Sequence, residues 1–274
     1  MSERLRITLA APSSVFTGVG LHSGADAVLC LLPAPAGTGL VFRDSATGQE
    51  IPARAANVSD TSRCTRLKAG GVEVQTVEHV LSALAGLGVD DALIELIGGE
   101  IPAADGSAAP FAALIRAAGL REQTEGIVRP KILTQPVSVS EGGSAIIALP
   151  SDRFQATIVL DYPRYPYLGT IAAIFDAFGG DFVTEIAPAR TFGFLSEIEA
   201  LRAHGLGLGA SRENAIVLGE DGYETPLRFS NELARHKLLD LIGDLALIGQ
   251  PLQAHVIAIK PGHTLNTRLA RLLS

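Results

Sequence analysis

One predicted helix carries a stripe of ionisable residues that could bind a metal ion. The stripe consists of His236, Lys237, Asp240 and Asp244, within a segment from Ser230 to Ile248 that is otherwise rich in leucine and isoleucine. At about 100° per residue, these side chains share one quadrant of the helix, opposite an apolar arc. His236 and Asp240 are one turn apart and could ligate a single ion. On spacing alone, a solvated helix face explains the same stripe, and that interpretation stays open.

A second histidine elsewhere could complete this ligand set. Glu78-His79 lies in the first turn of a predicted helix, for which Thr76 is the expected N-cap. The positive end of the helix dipole disfavours protonation of His79, so its imidazole would be free to bind metal. The carboxylate of Glu78 points about 100° away and could reach a water on the ion. Two histidines, a carboxylate and a nearby glutamate are typical of hydrolytic zinc sites, although for Glu78-His79 taken alone an exposed first turn with a favourable charge is the better explanation.

The remaining histidines differ in their local context. His263 follows an apolar strand and precedes a helix, a position from which it could act as a general acid. His22 lies in the glycine-rich segment 18–24 and is a weaker candidate. His204 and His255 are interpreted as structural or surface residues. With only two cysteines in the chain, a four-thiolate zinc site is impossible, and any metal must be held by histidine and carboxylate.

Length and composition exclude several functional classes. The chain has 274 residues, of which 47% are hydrophobic, and a net charge of −7. This length favours two modest domains, and the acidic balance offers no basic stripe for a nucleic-acid partner. No stretch approaches about 18 uncharged apolar residues, and no signal-peptide segment follows the N-terminus. The sequence therefore predicts a cytoplasmic protein with no membrane span.

The elements that must position these residues occur in a similar order in both halves. The first half contains short β-type runs over 5–67, a helix over 76–87, a strand over 92–97 and a helix over 110–120. The second contains strands over 137–139, 144–149 and 154–160, a short helix over 196–204, a strand over 215–218, the long helix, a strand over 256–259 and a terminal helix over 265–273. Strands followed by helices, twice, predict an α+β protein of two domains. The charged segment 121–126 is typical of a linker, so the predicted domains are 1–124 and 125–274.

Six short motifs occur together along the chain. They are GVGLHSG at 18–24, TVEH at 76–79, DGSAAPF at 105–111, ARTFGF at 189–194, RHKLLD at 235–240 and GHTLN at 262–266. In this order they resemble the zinc-dependent UDP-3-O-acyl-N-acetylglucosamine deacetylases of lipid A synthesis. The resemblance implies two similar domains, each a β-sheet layered with two α-helices, facing each other around the active site. It also implies a β-α-β insert at about 188–218 that forms a passage for an acyl chain.

The resemblance assigns chemical roles to residues in these motifs. It implies that one Zn²⁺ is held by His79, His236 and Asp240, and Fe²⁺ could substitute in such a site. Glu78 would be the general base that deprotonates the attacking water. His263 would stabilise the oxyanion and protonate the departing amine, with Asp244 orienting its imidazole, and Thr191 would donate to the oxyanion. Activity would then require Glu78 as a carboxylate and His263 as an imidazolium, which predicts a bell-shaped dependence of the rate on pH.

The resemblance also implies substrate contacts. These are Lys237 at the polar head group, Phe192 near the sugar, Tyr162 as a stacking residue, and Phe194. Apolar residues of the insert, Ile198, Leu201, Leu206 and Ala215, are predicted to line the acyl passage. The substrate would be a UDP-linked acylated glucosamine, and the resemblance favours a monomer.

Two places depart from the family pattern. The segment 162–166 reads Tyr-Pro-Arg-Tyr-Pro where a His-Pro pair is usual, and Arg63 replaces an apolar residue near the active-site mouth. The leading hypothesis is hydrolysis of the N-acetyl group of UDP-3-O-(3-hydroxyacyl)-N-acetylglucosamine to UDP-3-O-acyl-glucosamine and acetate, the committed step of lipid A biosynthesis. The departures keep two alternatives open: a catalytically silent relative that binds such a ligand, and a zinc amidohydrolase for a different acetylated sugar.

Overall fold

The computed structural model describes residues 3–177 and 179–274, so residues 1, 2 and 178 of the predicted domains lie outside the described part. The first half contains β1 (Arg4–Leu9), β2 (Phe16–Val19), β3 (Asp26–Pro33), β4 (Leu40–Asp44), β5 (Glu50–Pro52), β6 (Val58–Asp60), β7 (Arg66–Ala69), β8 (Val72–Gln75), α1 (Glu78–Gly86), β9 (Ala92–Ile97), α2 (Ala109–Ala118) and β10 (Leu120–Val128). The second half contains β11 (Lys131–Ile132), β12 (Val137–Glu141), β13 (Ser144–Pro150), β14 (Gln155–Asp161), β15 (Thr170–Asp176), α3 (Phe182–Glu185), β16 (Phe192–Phe194), α4 (Ile198–Ala203), β17 (Ile216–Leu218), α5 (Glu232–Ala246), β18 (Leu252–Ile259) and α6 (His263–Leu273).

Each half is built on a sheet with the same topology. The strand order is β2-β3-β9-β4-β5 in the first half and β12-β13-β18-β14-β15 in the second. The two residues of β11 pair in parallel with the first two residues of β18. In both sheets one central pair is parallel, β4 with β9 and β14 with β18. The other neighbours in these two strand orders are antiparallel. One helix precedes and one follows the central strand in each half. The predicted α+β fold of two similar sheet-and-helix halves is confirmed.

Each half also carries a small addition between one strand of its sheet, β5 or β15, and its buried helix. In the first half, β6, β7 and β8 form a three-stranded sheet before α1. In the second half, β16 and β17 pair in parallel and α4 lies between them in the chain. This is the β-α-β unit predicted for residues 188–218.

The segment predicted as a linker lies inside a strand. β10 pairs antiparallel with β1 from Arg4↔Val128 to Leu9↔Leu120. The segment resembles a linker in sequence because most of its side chains face solvent, whereas the buried amide of Gln123 donates to the carbonyl of Ala34 at 2.9 Å. The linker interpretation of residues 121–126 is therefore wrong, and the boundary at 124/125 stays a prediction.

The helix that carries Glu78 begins without the predicted cap. Its N-cap residue is Val77, and no side chain caps the helix. Thr76 instead has a positive φ of 60°, and its hydroxyl donates to Glu100 at 2.9 Å. The same carboxylate accepts the backbone N–H groups of His22 and Ser23 at 2.8 Å each. Glu100 thus connects the glycine-rich loop to the start of α1.

The two buried helices α1 and α5 pack directly against each other. Gly243 makes this approach possible, because a Cβ at this position would overlap the carbonyl oxygen of Glu78. Around the helix pair, alternate residues of β18, such as Val256 and Ala258, are buried in the core. α5 is the longest helix in the described residues at 15 residues, and none of the described helices is long and apolar enough to cross a membrane.

The Gly243→Ala variant should lose stability because the added methyl group would push α5 away from α1. Overpacking of this kind costs about 1–3 kcal/mol in the free energy of unfolding, which urea denaturation would measure. Gly222→Ala is the matched control, because no atom lies within 4 Å of a Cβ at Gly222. Equal stability of the two variants would contradict the close contact described here.

Candidate active site

The residues predicted to bind metal meet where the start of α1 faces α5. His79 is the second residue of α1, while His236 and Asp240 are one turn apart on α5. Ligand atoms of all three lie within 4.8 Å of one another. The Asp240 Oδ1 atom is 3.3 Å from His236 Nε2 and 3.9 Å from His79 Nε2. One ion placed among these atoms could contact all of them.

Hydrogen bonds behind the cluster orient its members. The His236 Nδ1–H donates to the carbonyl of Ala189 at 3.1 Å, which leaves Nε2 facing the other ligands. Lys237 Nζ donates to Asp240 Oδ2 at 2.8 Å. The second oxygen, Asp240 Oδ1, is buried without a hydrogen-bond partner among the described residues. A buried carboxylate oxygen without a partner is costly, and coordination of a cation would satisfy it.

The protonation states of these residues suit a metal ion. Burial lowers the pKa of both histidines, and His236 helps to bring that of His79 to about 3. Burial opposes ionisation of Asp240, but His236 and Lys237 outweigh it and hold the pKa of this carboxyl far below its usual range. Two neutral imidazoles and a carboxylate are the forms that ligate metals. The sequence predicted a neutral His79 from the helix dipole, whereas burial is the main cause.

The interpretation of these residues as solvated helix faces is wrong. His236, Asp240 and Asp244 are buried, and the side chain of Lys237 is only 20% exposed. Glu78 and His79 are buried as well. The polar quadrant of α5 is covered because α1 and loops from both halves pack against it.

Glu78 lies beside the cluster without belonging to it. Its Oε2 accepts the backbone N–H of Thr65 at 3.0 Å, and its Oε1 is 3.8 Å from His263 Nε2. Burial raises the pKa of Glu78, although His263 partly opposes the rise, to about 7. The group can therefore exchange a proton near neutral pH.

His263 begins α6 and faces both Glu78 and the cluster. Its Nδ1–H donates to Asp244 Oδ2 at 2.9 Å, and its Nε2 is 3.9 Å from Asp240 Oδ2. Burial alone would lower the pKa of His263, but Asp244 and Glu78 outweigh it and raise the pKa to about 9. The imidazole is thus positively charged at neutral pH, next to the place where an anion would form.

Sequence analysis did not identify two residues that hold this acid–base pair. The hydroxyl of Thr65 donates to Asp244 Oδ1 at 2.5 Å and lies 3.2 Å from His263 Nδ1. Asn266 Nδ2 donates to Asp244 Oδ2 at 2.9 Å. Asn266 lies in the sixth motif and three residues after His263, one helical turn away, which could have indicated its role. Thr65 has no comparable local signal, because its partners are 179 and 198 residues away in the chain.

Aromatic side chains line one side of the cluster. The ring centroid of Phe192 is 6.2 Å from that of His236, and Lys237 Nζ lies 5.4 Å from the Phe192 centroid. Tyr162 contacts the rings of Phe192 and Phe194 edge-on, at 6.3 and 5.3 Å. Lys237, Phe192 and Tyr162 therefore form one surface that begins at the metal cluster, and Phe194 is a buried residue in contact with it.

Thr191, the predicted oxyanion donor, and the predicted acyl-passage residues Ile198 and Leu206 all lie within the insert. Thr191 is half-buried, and its backbone N–H donates to the carbonyl of Gly106 at 2.8 Å. Ile198 begins α4, and Leu206 follows that helix; both are half-buried. Their contacts with an oxyanion or an acyl chain stay predictions.

Both departures from the family pattern contact the insert. Arg63 Nη1 pairs with Glu197 Oε2 at 2.9 Å, across the two halves. In the segment 162–166, Tyr165 stacks on Phe194 with centroids 4.4 Å apart. The Tyr165 hydroxyl also lies 2.8 Å from Ser196 Oγ. Neither departure changes the metal cluster or its neighbouring glutamate and histidine.

The remaining histidines lie apart from the cluster. His22 is buried, and its Nδ1 has no hydrogen-bond partner among the described residues. His204 is exposed, with Nδ1 2.7 Å from the carbonyl of Ala200. His255 lies on β18 with Nε2 3.0 Å from the hydroxyl of Thr157. The last two fit the predicted surface or structural roles.

Comparison with known proteins supports the family resemblance that the six motifs indicate. The sequence profile of the family described as LpxC, UDP-3-O-acyl N-acetylglycosamine deacetylase, matches residues 6–274. A UDP-3-O-acyl-N-acetylglucosamine deacetylase of Pseudomonas entomophila is 48% identical over 262 residues, covering 94% of this chain and 86% of that protein. A protein of the same name from Myxococcus xanthus is 47% identical over 258 residues, covering 93% and 82%. This chain therefore belongs to the LpxC family of UDP-3-O-acyl N-acetylglycosamine deacetylases.

Proposed function

We propose that this protein hydrolyses the N-acetyl group of UDP-3-O-(3-hydroxyacyl)-N-acetylglucosamine, giving UDP-3-O-acyl-glucosamine and acetate. Its family consists of amide hydrolases of lipid A biosynthesis, and relatives at 48% and 47% identity carry the name of this activity. The observation that carries the proposal is the meeting of His79, His236 and Asp240 with Glu78 on one side and His263 on the other.

The residues present fit a zinc ion. Nitrogen and oxygen donors are the ligands of catalytic zinc, which uses three protein ligands and keeps one position open. The unpartnered Asp240 Oδ1 and the orientation of His236 by Ala189 favour occupation of this site. When bound, zinc acidifies water and polarises a carbonyl oxygen. Fe²⁺ is also compatible with a site of two histidines and a carboxylate.

Glu78 is proposed to accept the proton of the attacking water. The Thr65 N–H holds one of its oxygens, so the other is free to point toward the reacting atoms. A carboxylate with a pKa raised to about 7 is a stronger base than an ordinary glutamate and is still ionised in part at neutral pH.

His263 is proposed to supply the positive charge and the proton that the reaction needs next. Its Nδ1–H is engaged by Asp244, so Nε2–H is the proton that faces the cluster. From there it can stabilise the oxyanion of the tetrahedral intermediate and then protonate the departing amine. Asp244 keeps the ring oriented and charged. We assign Thr191 to the same oxyanion, as a hydroxyl donor.

The aromatic surface is proposed to bind the nucleotide sugar. Phe192 would pack on the sugar, Lys237 would contact its polar substituents, and Tyr162 would stack on the nucleotide. Phe194 supports Tyr162. Ile198 and Leu206 are proposed to line the acyl passage in the insert. We also propose that the enzyme acts in the cytoplasm as a monomer.

The pH dependence of kcat/KM should be bell-shaped. The reaction requires ionised Glu78 and protonated His263, so the rate should rise as Glu78 loses its proton and fall as His263 loses its own. The alkaline limb should lie near pH 9, because the pKa of His263 is raised to about 9. A cation bound beside Glu78 would lower the pKa of that carboxyl, so the acidic limb should lie below the value of about 7 set by burial and the neighbouring charges. Loss of the alkaline limb in His263→Gln would confirm its assignment, and an unchanged limb would refute it.

The Thr65→Val variant should lose activity while retaining metal. It removes the hydroxyl that donates to Asp244 but keeps the side-chain shape and the N–H that binds Glu78. A hydrogen bond to a charged group contributes about 1.5–3 kcal/mol, equivalent to about 10–100-fold in rate, and we expect the effect in kcat. Thr65→Ser, which keeps the hydroxyl, should remain close to the unaltered protein. Equal kcat values for the two variants would show that the hydroxyl has no positioning role.

A substrate panel tests the proposed function against its alternatives. The enzyme should release acetate from the 3-O-acylated nucleotide sugar far faster than from UDP-N-acetylglucosamine, which lacks the acyl chain. Equal rates would indicate an amidohydrolase for a different acetylated sugar. Binding of both compounds without acetate release would indicate a silent relative, for which Arg63 and the segment 162–166 would be the first residues to examine.

A further inference from the structure

A cavity of about 320 Å³ lies between the two halves, at the ends of α1 and α5 that are remote from the metal cluster. It is lined by Gly86 at the end of α1 and Val89 just after that helix, and by Leu245 at the end of α5 and Gly249 just after that helix. His79 lies at the opposite end of α1. At about 1.5 Å per residue, the cluster is roughly 10 Å from the cavity along that helix. The cavity is therefore separate from the candidate active site.

The walls of this rear cavity are mainly apolar. Phe154, Phe175, Phe182 and Leu252 from the second half face Leu40 from the first. Its volume of about 320 Å³ lies at the lower end of the range of about 300–1,000 Å³ that is typical of small-molecule sites. The space and its lining suit an alkyl chain of moderate length.

Three arginines line the cavity, and two are neutralised by neighbouring carboxylates. Arg4 pairs with Asp90 at 2.6 Å. Arg6 pairs with Asp91 at 2.7 Å. The side chain of Arg54 has no ion-pair or hydrogen-bond partner within the ranges 3–177 and 179–274. Because Arg54 is half-buried, its charge is partly removed from water without compensation.

Two glycines leave room for the guanidinium of Arg54 at the cavity. A Cβ at Gly249 would overlap the guanidinium, and one at Gly39 would lie 3.2 Å from Nη2. Gly249 has a positive φ of 83°, which glycine adopts without strain. The next residue, Ala55, donates its N–H to the carbonyl of Leu247 at 3.0 Å, which ties this segment to the end of α5. The cation is thus placed where both halves meet.

From these features we propose that the rear cavity binds an amphipathic monoanion, namely a medium-chain fatty-acid carboxylate. Its alkyl chain would be buried among the aromatic and aliphatic walls, and its carboxylate would pair with Arg54. A guanidinium binds a carboxylate through two parallel hydrogen bonds. The proposal does not depend on the reaction at the metal cluster.

Isothermal titration of the metal-loaded full chain with sodium decanoate tests this site. The unaltered protein and the Arg54→Gln variant are each titrated with decanoate and with its uncharged analogue decanol. We expect Arg54→Gln to weaken decanoate binding about tenfold or more, as for the loss of a hydrogen bond between charged groups, and to leave decanol binding unchanged. Arg116→Gln is the matched control, an exposed arginine on α2 that does not line the cavity.

A second variant separates the rear cavity from the acyl passage in the insert. Ala246→Leu adds volume inside the rear cavity and leaves Arg54 in place, so decanoate binding should fall. Ile198→Trp narrows the predicted acyl passage instead and should leave the Arg54-dependent binding intact. Decanoate binding that is insensitive to Arg54→Gln and Ala246→Leu, or abolished by Ile198→Trp, would overturn the proposal, as would the absence of binding.

Discussion

Replacing Glu78 with glutamine should lower kcat by about 10²–10⁴-fold, the usual contribution of a general base. Glutamine keeps the size of the side chain and an oxygen that can accept the Thr65 N–H, but it cannot take a proton from water. Because Glu78 is not among the ligands of the cluster, the variant should retain one metal ion per chain. Acetate release, measured together with metal content, checks both expectations.

Glu73→Gln is a suitable control for this substitution. Glu73 is a half-buried glutamate on β8, and its carboxylate lies 3.7 Å from Arg66. It should behave like the unaltered protein. Near-normal turnover of the Glu78→Gln variant would contradict the assigned mechanism, because no other carboxylate is proposed to act as the base.

Replacing Asp240 with asparagine should abolish metal retention and lower activity by about 10³-fold or more, because a bound metal lowers the activation barrier by several kcal/mol. Asparagine is close in size and shape to aspartate but removes the anionic ligand that faces both histidines. Lys237, whose Nζ donates to this carboxylate, would then also lose its charged partner in a buried site. Elemental analysis of the purified variant measures the metal directly.

Asp244→Asn, one helical turn further along α5, is the matched comparison. Asp244 contacts His263, Thr65 and Asn266 but is not a member of the metal cluster. This variant should keep its metal and lose activity through the weakened charge and orientation of His263. If both aspartate variants lost metal equally, the assignment of Asp240 as a metal ligand and of Asp244 as the residue that orients His263 would be wrong.

Helical periodicity explains why much of the site could be predicted from the sequence. The spacing of His236, Asp240 and Asp244 places them on one face of any helix, whatever the rest of the fold. The strand predicted over 92–97 agrees with β9, because an apolar run interrupted only by Glu95 and bounded by turn residues is a strong local signal. Spacing could not show whether that helix face was solvated or buried, since this depends on how α1 packs against α5.

Residues whose roles depend on distant partners could not be predicted in this way. Thr65 and Gly243 act through contacts with residues far away in the sequence, and neither has a distinctive local pattern. Sequence analysis predicts no strand over Thr170–Asp176, where β15 forms. Its two alanines and terminal aspartate are poor strand formers, and pairing with β14 stabilises the segment. β10 resembles a linker because an exposed strand and a loop are both rich in charged residues, so composition alone does not distinguish them.

The most direct test of the central claim is acetate release from UDP-3-O-acyl-N-acetylglucosamine by the purified protein, before metal removal, after chelation and after Zn²⁺ is restored. The account predicts activity that is lost with the metal and recovered with it, at about one zinc per chain. Activity that persists without metal would contradict the assignment of His79, His236 and Asp240 as the reaction centre. A protein that binds zinc but releases no acetate would contradict the proposed function.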